Sequence, residues 1–163
     1  MPSLMRYINI ISRCGNIWRG DKLKDSDLGP GKTVYILALC HTPGVSQEQL
    51  ARRICIDKSN VTRHLAALEK CGYVERRQSE EDRRVTLVYP TEKAYDILPY
   101  IREITREWNQ YLTEDFTEEE LTQLYALLGR LYDKATTYAR REPEDDPADQ
   151  AFAHPGKGGD IPQ

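Results

Sequence analysis

The sequence predicts a mainly α-helical chain that carries one small β-hairpin. Three observations predict it. Apolar residues recur at helical spacing over most of the 163 positions. Two β-prone runs, residues 73–78 and 85–89, flank the wholly polar stretch 79–84, which reads as a hairpin with a charged tip. Directly before the hairpin, two short helical patterns follow each other so closely that only a tight turn fits between them.

Taken in order, Tyr7, Ile8, Ile10, Ile11, Cys14, Ile17 and Trp18 make an amphipathic first helix. Residues 20–31 are polar and broken by Gly and Pro, a connection. Residues 33–41 are nearly all apolar, a central helix that Pro43-Gly44 ends. Ser46-Gln47-Glu48-Gln49 is a capping box, in which each end residue satisfies an orphan N–H at the other's end of the first turn. The short helix it opens shows Leu50, Ala51 and Ile54 on one face. Asp57 restarts the chain as an N-cap, and a second helix runs through Val61, Leu65 and Leu68 to Gly72, placed as a left-handed C-terminal residue. Two short helices and a hairpin in this order are a winged helix-turn-helix.

After the hairpin, Thr91 is placed to cap a long helix with the stripe Tyr95, Leu98, Ile101, Ile104, Trp108, Tyr111 and Leu112. Pro99 falls inside it and removes the N–H that would bond the Tyr95 carbonyl, so a kink or a late start is expected. Thr117-Glu118-Glu119-Glu120 is a second capping box, followed by Leu121, Leu124, Tyr125, Leu128, Leu131, Tyr132, Ala135 and Tyr138. Residues 141–163 are rich in Pro, Gly and acids with almost no apolar anchor, and are expected to be a disordered acidic tail.

Hydrophobic content of 39% against 30% charged is low for a self-contained globule, so apolar surface shared with another chain is expected. No run of about 18 apolar residues suggests a membrane span, and no basic-then-apolar leader is read, which makes the cytoplasm the default expectation. The net charge of −3 looks wrong for a partner of nucleic acid, but 141–163 holds six acids and two bases, while 52–84 holds nine bases and six acids, a local +3. The four cysteines, Cys14, Cys40, Cys55 and Cys71, form no C-x-x-C pair and spell no zinc site with the three histidines; buried thiols are expected, with no metal and no cofactor. Gly31-Lys32-Thr33 copies the end of a phosphate-binding loop, yet Ser26 stands where its first Gly belongs and no buried strand precedes it. No catalytic constellation is found, so an enzyme is not expected.

The second helix of the pair, residues 57–71, is the expected recognition helix. Ser59, Asn60, Thr62 and Arg63 lie opposite its apolar stripe near the N-terminus, where such helices reach base edges. Arg63 can bond guanine in bidentate fashion and Asn60 adenine. The plain alternative, ordinary solvated polar residues, would hold for a lone helix. The capping boxes and wing in register favour base contact. Ser46, Gln47, Lys58, Arg76, Arg77, Arg83 and Arg84 are candidates for phosphate or groove contact, and Asp82 is placed to orient Arg84 or Arg83.

The stretch Asp82-Arg83-Arg84-Val85-Thr86-Leu87-Val88-Tyr89-Pro90-Thr91-Glu92-Lys93-Ala94 is close to the pattern D-x-R-x-x-x-L-x-L-T-x-x-G, with Pro90 and Ala94 where Leu and Gly are usual. With Pro43-Gly44-Val45-Ser46 and Leu50-Ala51, it resembles the MarR family of transcription regulators over roughly residues 5–139. The resemblance implies a single domain over 1–140, with a winged helix-turn-helix at about 30–93 and dimerisation helices at about 4–20 and 94–140. It implies a homodimer on palindromic double-stranded DNA, a repressor released by a small aromatic or phenolic ligand, and a wing arginine, Arg84, in the minor groove. The ligand would sit between the dimer helices and the winged helix, with Trp18, Tyr35, His41 and Tyr111 as liners chosen by element and aromatic character. Some relatives carry a reactive cysteine in the first helix, which makes Cys14 the redox candidate. The alternative from another class is a winged-helix protein–protein module that has lost DNA binding.

Overall fold

The computed structural model describes residues 3–139. The acidic segment 141–163 lies outside the described residues, and so does its expected disorder. The chain runs α1 (Leu4–Lys22), a 3-10 turn (Pro30–Lys32), α2 (Thr33–His41), β1 (Val45–Ser46), α3 (Gln47–Arg53), α4 (Lys58–Lys70), β2 (Val74–Gln78), β3 (Thr86–Pro90), α5 (Glu92–Thr113) and α6 (Glu118–Ala139). The described residues divide into two compact units, which part between Leu112 and Thr113. Every candidate site residue belongs to the first. The structure is mainly helical with one small sheet, a winged helix-turn-helix flanked by terminal helices.

Local chemistry explains where the helices start. Ser46 Oγ accepts the Gln49 N–H at 3.1 Å while Gln49 Oε1 accepts the Ser46 N–H at 2.8 Å, closing the box at the head of α3. Asp57 Oδ1 accepts the N–H groups of Ser59 at 2.9 Å and Asn60 at 3.4 Å and so caps α4. Bonds to the Ser59 hydroxyl and to these two N–H groups hold the Asp57 carboxyl below its ordinary range. Past α4, Gly72 takes φ +76°, a conformation that side chains with a Cβ resist. Between α3 and α4 the same left-handed region is taken by Cys55 at φ +52°, a position the sequence did not mark because it is not glycine.

The winged-helix core closes on itself. Leu50 of α3 and Val61, Leu65 and Leu68 of α4 are fully buried with Ile36 and Leu39 of α2, Val88 of β3 and Ile101 of α5. Each such side chain contributes about 1.5–3 kcal/mol relative to exposure. The hairpin gains a third strand: β1 pairs with β3 through Val45↔Val88 and Ser46↔Leu87, giving the antiparallel order β1-β3-β2. β2 meets β3 from Val74↔Pro90 to Gln78↔Thr86. Pro90 is tolerated at the end of β3 because β1 does not reach it, which leaves that side an edge. Ala94, standing where the family usually has Gly, is fully buried in α5.

Several expectations need correction. α1 continues to Lys22, past the expected start of the connection at Gly20. α5 runs unbroken from Glu92 through Pro99, so the late start does not occur. Thr91 does not cap α5 with its side chain; its hydroxyl donates to the Gly72 carbonyl at 2.6 Å. The cysteines are not buried: Cys14 and Cys55 are exposed and Cys40 and Cys71 half-buried. Cys14 misled because it lies on the exposed apolar face of α1, and Cys55 because it forms a surface turn. Partial burial still pushes the Cys40 thiol up to about 11. The false phosphate loop, Gly31-Lys32-Thr33, falls on the 3-10 turn and the first residue of α2, with an irregular connection after α1 rather than a strand before it. No helix among the described residues is long and apolar enough to cross a membrane.

Candidate nucleic-acid interface

α4 has the division of faces that groove reading needs. Val61, Leu65 and Leu68 are buried, while Lys58, Ser59, Thr62 and Arg63 are exposed and Asn60 is half-buried. The polar side chains are ordered by one another. Arg63 Nη2 donates to Asn60 Oδ1 at 2.7 Å, Thr62 Oγ1 donates to the Lys58 carbonyl at 3.0 Å, and the Ser59 hydroxyl bonds Asp57. Gln47 reaches across from α3, its Oε1 3.4 Å from Thr62 Oγ1. Lys58 lies 3.9 Å from Glu48, which also pairs with Arg52 at 3.3 Å. Ser46 is committed to its cap. His64 packs its ring on Tyr35 at 5.3 Å, and burial, then Arg63 and Lys32, hold its pKa below the ordinary imidazole value.

The wing separates its arginines into two kinds. Arg76 and Arg77 on β2 are already paired. Arg76 Nε donates to Glu69 Oε2 at 2.9 Å and Nη2 bonds the same oxygen, tying the wing to α4. That pair lowers the Glu69 pKa and raises that of Arg76. Arg77 pairs with Glu75 and lies over the Tyr89 ring at 4.9 Å. At the tip, Arg83 and Arg84 are exposed, and their guanidinium groups have no partner among the described residues. Asp82 acts on the backbone rather than on a guanidinium: its Oδ1 accepts the Arg84 N–H at 2.9 Å, and its carbonyl accepts the Val85 N–H at 2.9 Å. The expectation that Asp82 orients an arginine side chain is corrected accordingly. Glu69 was not marked by sequence because its partner is seven residues away across a turn.

The four effector candidates do not assemble into one site. Trp18 and Tyr111 stack at 6.2 Å and share a cluster with Trp108, whose ring lies 5.7 Å from Trp18 and 5.8 Å from Tyr111. The buried Gly15 admits this cluster, since a Cβ there would lie 3.1 Å from Trp108 Nε1. Trp18 Nε1 donates to the Ile104 carbonyl at 3.1 Å. Tyr35 is fully buried in the winged-helix core instead, with its hydroxyl unbonded, and His41 is exposed at the end of α2 with Nδ1 3.1 Å from the Thr42 hydroxyl. No group of three or more His, Cys, Asp or Glu among the described residues is arranged to hold a metal ion.

Comparison with known proteins matches this geometry. The model of the MarR family matches residues 31–86, from the 3-10 turn to the first residue of β3. The chain is 29% identical over 131 residues to the uncharacterized HTH-type transcriptional regulator YybA of Bacillus subtilis (strain 168), covering 80% of this chain and 87% of that protein. It is 26% identical over 125 residues to the HTH-type transcriptional regulator BilQ of Clostridium symbiosum (strain WAL-14163), covering 77% and 87%. Among solved structures it is similar to a MarR transcriptional regulator from Methanosarcina mazei Go1, with TM-score 0.78, 27% identity and coverage of 83% and 97%. It is also similar to a putative MarR family regulator from Listeria monocytogenes complexed with 26mer DNA, with TM-score 0.77, 25% identity and coverage of 90% and 99%. With a second helix of divided faces, a basic wing and relatives aligned over 80% of its length, residues 31–86 of this chain form a winged helix-turn-helix that matches the MarR family of transcription regulators.

Proposed function

We propose that the protein is a ligand-responsive repressor that binds a palindromic operator as a homodimer. The observation that carries the DNA part is the contrast along the wing: the strand arginines are neutralised by acids, while Arg83 and Arg84 at the tip have no partner among the described residues. In this reading Ser59, Asn60, Thr62 and Arg63 face base edges in the major groove, and Lys58 and Gln47 approach phosphate. Arg84 enters the minor groove, where narrow A·T-rich DNA concentrates negative potential and guanidinium sheds water more readily than ammonium. The relative from Listeria monocytogenes complexed with DNA supports it.

Exposed apolar residues support the dimer. Ile8, Ile10, Ile11 and Ile17 of α1 are open, as are Leu128, Leu131 and Tyr132 of α6. Two-fold pairing through these helices places two recognition helices about 34 Å apart, one turn of DNA. The aromatic cluster of Trp18, Trp108 and Tyr111, with Lys22 Nζ 4.7 Å above the Trp18 ring, favours a small aromatic or phenolic effector. Exposed Cys14 offers an oxidation-sensitive thiol on the same helix as Trp18.

The test is selection of DNA from a random-sequence library, followed by affinity measurement on the selected duplex. A palindrome is expected to emerge. Arg84→Ala is expected to cost at least about tenfold in operator affinity at physiological salt, with fold and dimer unchanged, Arg84→Lys to recover part of the loss, and Arg83→Ala to cost less. Enrichment of no DNA would leave the protein–protein module as the better reading. Equal affinity in Arg84→Ala would remove the wing from the mechanism. Operator release by a panel of aromatic acids, and by peroxide, tests the effector and Cys14 separately.

A further inference from the structure

We propose that Asp27 is a positioning residue that locks the C-terminal end of the recognition helix to the neighbouring helices, and so sets the spacing and rotation between the two recognition helices of a dimer. The inference rests on the reading of the protein as a dimeric DNA binder.

Three segments meet at this carboxylate. Asp27 lies in the connection between α1 and α2, where Leu23 and Leu28 are both buried and the Ser26 hydroxyl donates to the Leu23 carbonyl at 2.9 Å. Its Oδ1 accepts the Tyr73 hydroxyl at 2.5 Å, and its Oδ2 lies 2.5 Å from Lys93 Nζ. Tyr73 follows the end of α4, and Lys93 belongs to the first turn of α5. Lys93 also lies 4.3 Å above the Tyr73 ring.

The carbonyls just past α4 are all held from one side. Lys93 Nζ donates to the Cys71 carbonyl at 2.8 Å, Thr91 Oγ1 to the Gly72 carbonyl at 2.6 Å, and the Thr91 N–H to the Tyr73 carbonyl at 3.0 Å. A cation at this end also suits the negative pole of the helix. The other end of α4, which carries Asn60 and Arg63, has its local Asp57 cap and two long, exposed contacts to α3, Thr62 with Gln47 at 3.4 Å and Lys58 with Glu48 at 3.9 Å. Across 13 residues, about 20 Å of helix, a small rotation at the held end becomes a displacement at the reading end.

Stability is a poor explanation for the Asp27–Lys93 pair. Its side chains are 47% and 44% exposed, and surface pairs contribute little to folding. What they supply is geometry, because one ammonium and one carboxylate share bonds among α5, the end of α4 and the α1–α2 connection.

The experiment uses the full chain and the duplex that wild type selects from a random library, together with that duplex lengthened or shortened by one base pair between half-sites. One base pair moves a half-site by about 3.4 Å along the axis. Wild type is expected to lose about tenfold or more on either altered duplex, the size of a lost base contact. Asp27→Asn, which keeps an acceptor for Tyr73 but releases Lys93, is expected to shrink that spacing penalty to about threefold or less, with weaker binding to the selected duplex. Lys93→Met should do the same, and Asp27→Glu should restore most of the penalty. A variant that only loses stability would lower binding to all three duplexes alike. An unchanged spacing penalty in folded, dimeric Asp27→Asn overturns the inference. Should that variant not fold, Tyr73→Phe, which deletes one bond and keeps the ring, decides by the same ratio. A wild type that selects no DNA overturns the DNA-binding reading instead.

Discussion

Two helices of this protein open with the same device and end in opposite environments. Ser46 and Gln49 bond reciprocally at the head of α3, and Thr117 and Glu120 do so at the head of α6, where the Thr117 N–H donates to Glu120 Oε2 at 2.9 Å and the Glu120 N–H to Thr117 Oγ1 at 3.3 Å. Behind the first cap lies a closed core, with Leu50, Val61, Leu65 and Leu68 fully buried. Behind the second, no residue of α6 is buried, and Leu127, Leu128, Leu131 and Tyr132 are all at least 40% exposed. A cap specifies where a helix begins. It carries no information about what the helix will pack against.

The comparison is broken most forcefully by cutting into each half. Leu65→Ala should cost about 2–5 kcal/mol, because the closed core cannot collapse onto the cavity, and the loss should appear at every protein concentration. Leu131→Ala should leave the winged helix intact and shift the melting temperature more as the protein is diluted about a hundredfold, as an association equilibrium demands. Thermal denaturation at two concentrations checks both. A concentration-independent loss in Leu131→Ala would mean that α6 is stabilised within its own chain.

The exposed face of the closed half should divide again. Arg63→Ala should cost about 1–3 kcal/mol of operator binding and relax preference at one base pair per half-site. Lys58→Ala should weaken all sequences alike and reduce the salt slope by about one. Binding isotherms over a series of salt concentrations separate the two, and the reverse pattern would mean that α4 presents a different face to DNA.

A smaller effect sharpens the comparison at the caps. Ser46→Ala and Thr117→Ala should each cost about 1 kcal/mol. The first should appear in the unfolding of the winged helix by denaturant, and the second in helicity and self-association. Equal effects on both readouts would erase the distinction between the halves.

The smallest effect is a pH dependence. Bonds from the Ser59 hydroxyl, and then from the N–H groups of Ser59 and Asn60, depress the Asp57 pKa below 3.8, so its carboxylate stabilises the fold above that value and the contribution is lost as pH falls through the depressed one. Asn caps a helix nearly as well and does not titrate. Wild type should therefore melt above Asp57→Asn at neutral pH and converge with it below about pH 4. Parallel curves down to pH 3 would show that the charge contributes nothing.

Much of the fold was legible because its signals are local. Capping boxes, the Asp57 cap, the left-handed Gly72 and the polar hairpin tip each lie within a few residues of the structure they specify, and α2 and α4 fall where the pattern put them. The buried stripe of α4 also fixes which residues face outward, so Ser59, Asn60, Thr62 and Arg63 could be named from spacing alone. What failed was the environment of single side chains. Apolar spacing is the same for a stripe that meets the core and one left open, so Cys14 read as buried and is exposed. Strand β1 was invisible because two residues carry no period, and it exists only where β3 lies beside it.

The sequence by itself therefore determined the order of elements, their starts and stops, and the polar face of the recognition helix, since those follow from backbone hydrogen bonding and side-chain period within one or two turns. Only the tertiary structure decided which charges remained available. Arg76 and Arg77 are the same residue type as Arg83 and Arg84, yet Glu69, Glu75 and the Tyr89 ring engage the first two and leave the wing tip alone. It decided, too, that Asp27, Tyr73 and Lys93, separated by up to 66 positions, share one set of bonds. An ion pair depends on distances of a few ångströms, and for residues far apart in the chain those distances are set only when the core closes.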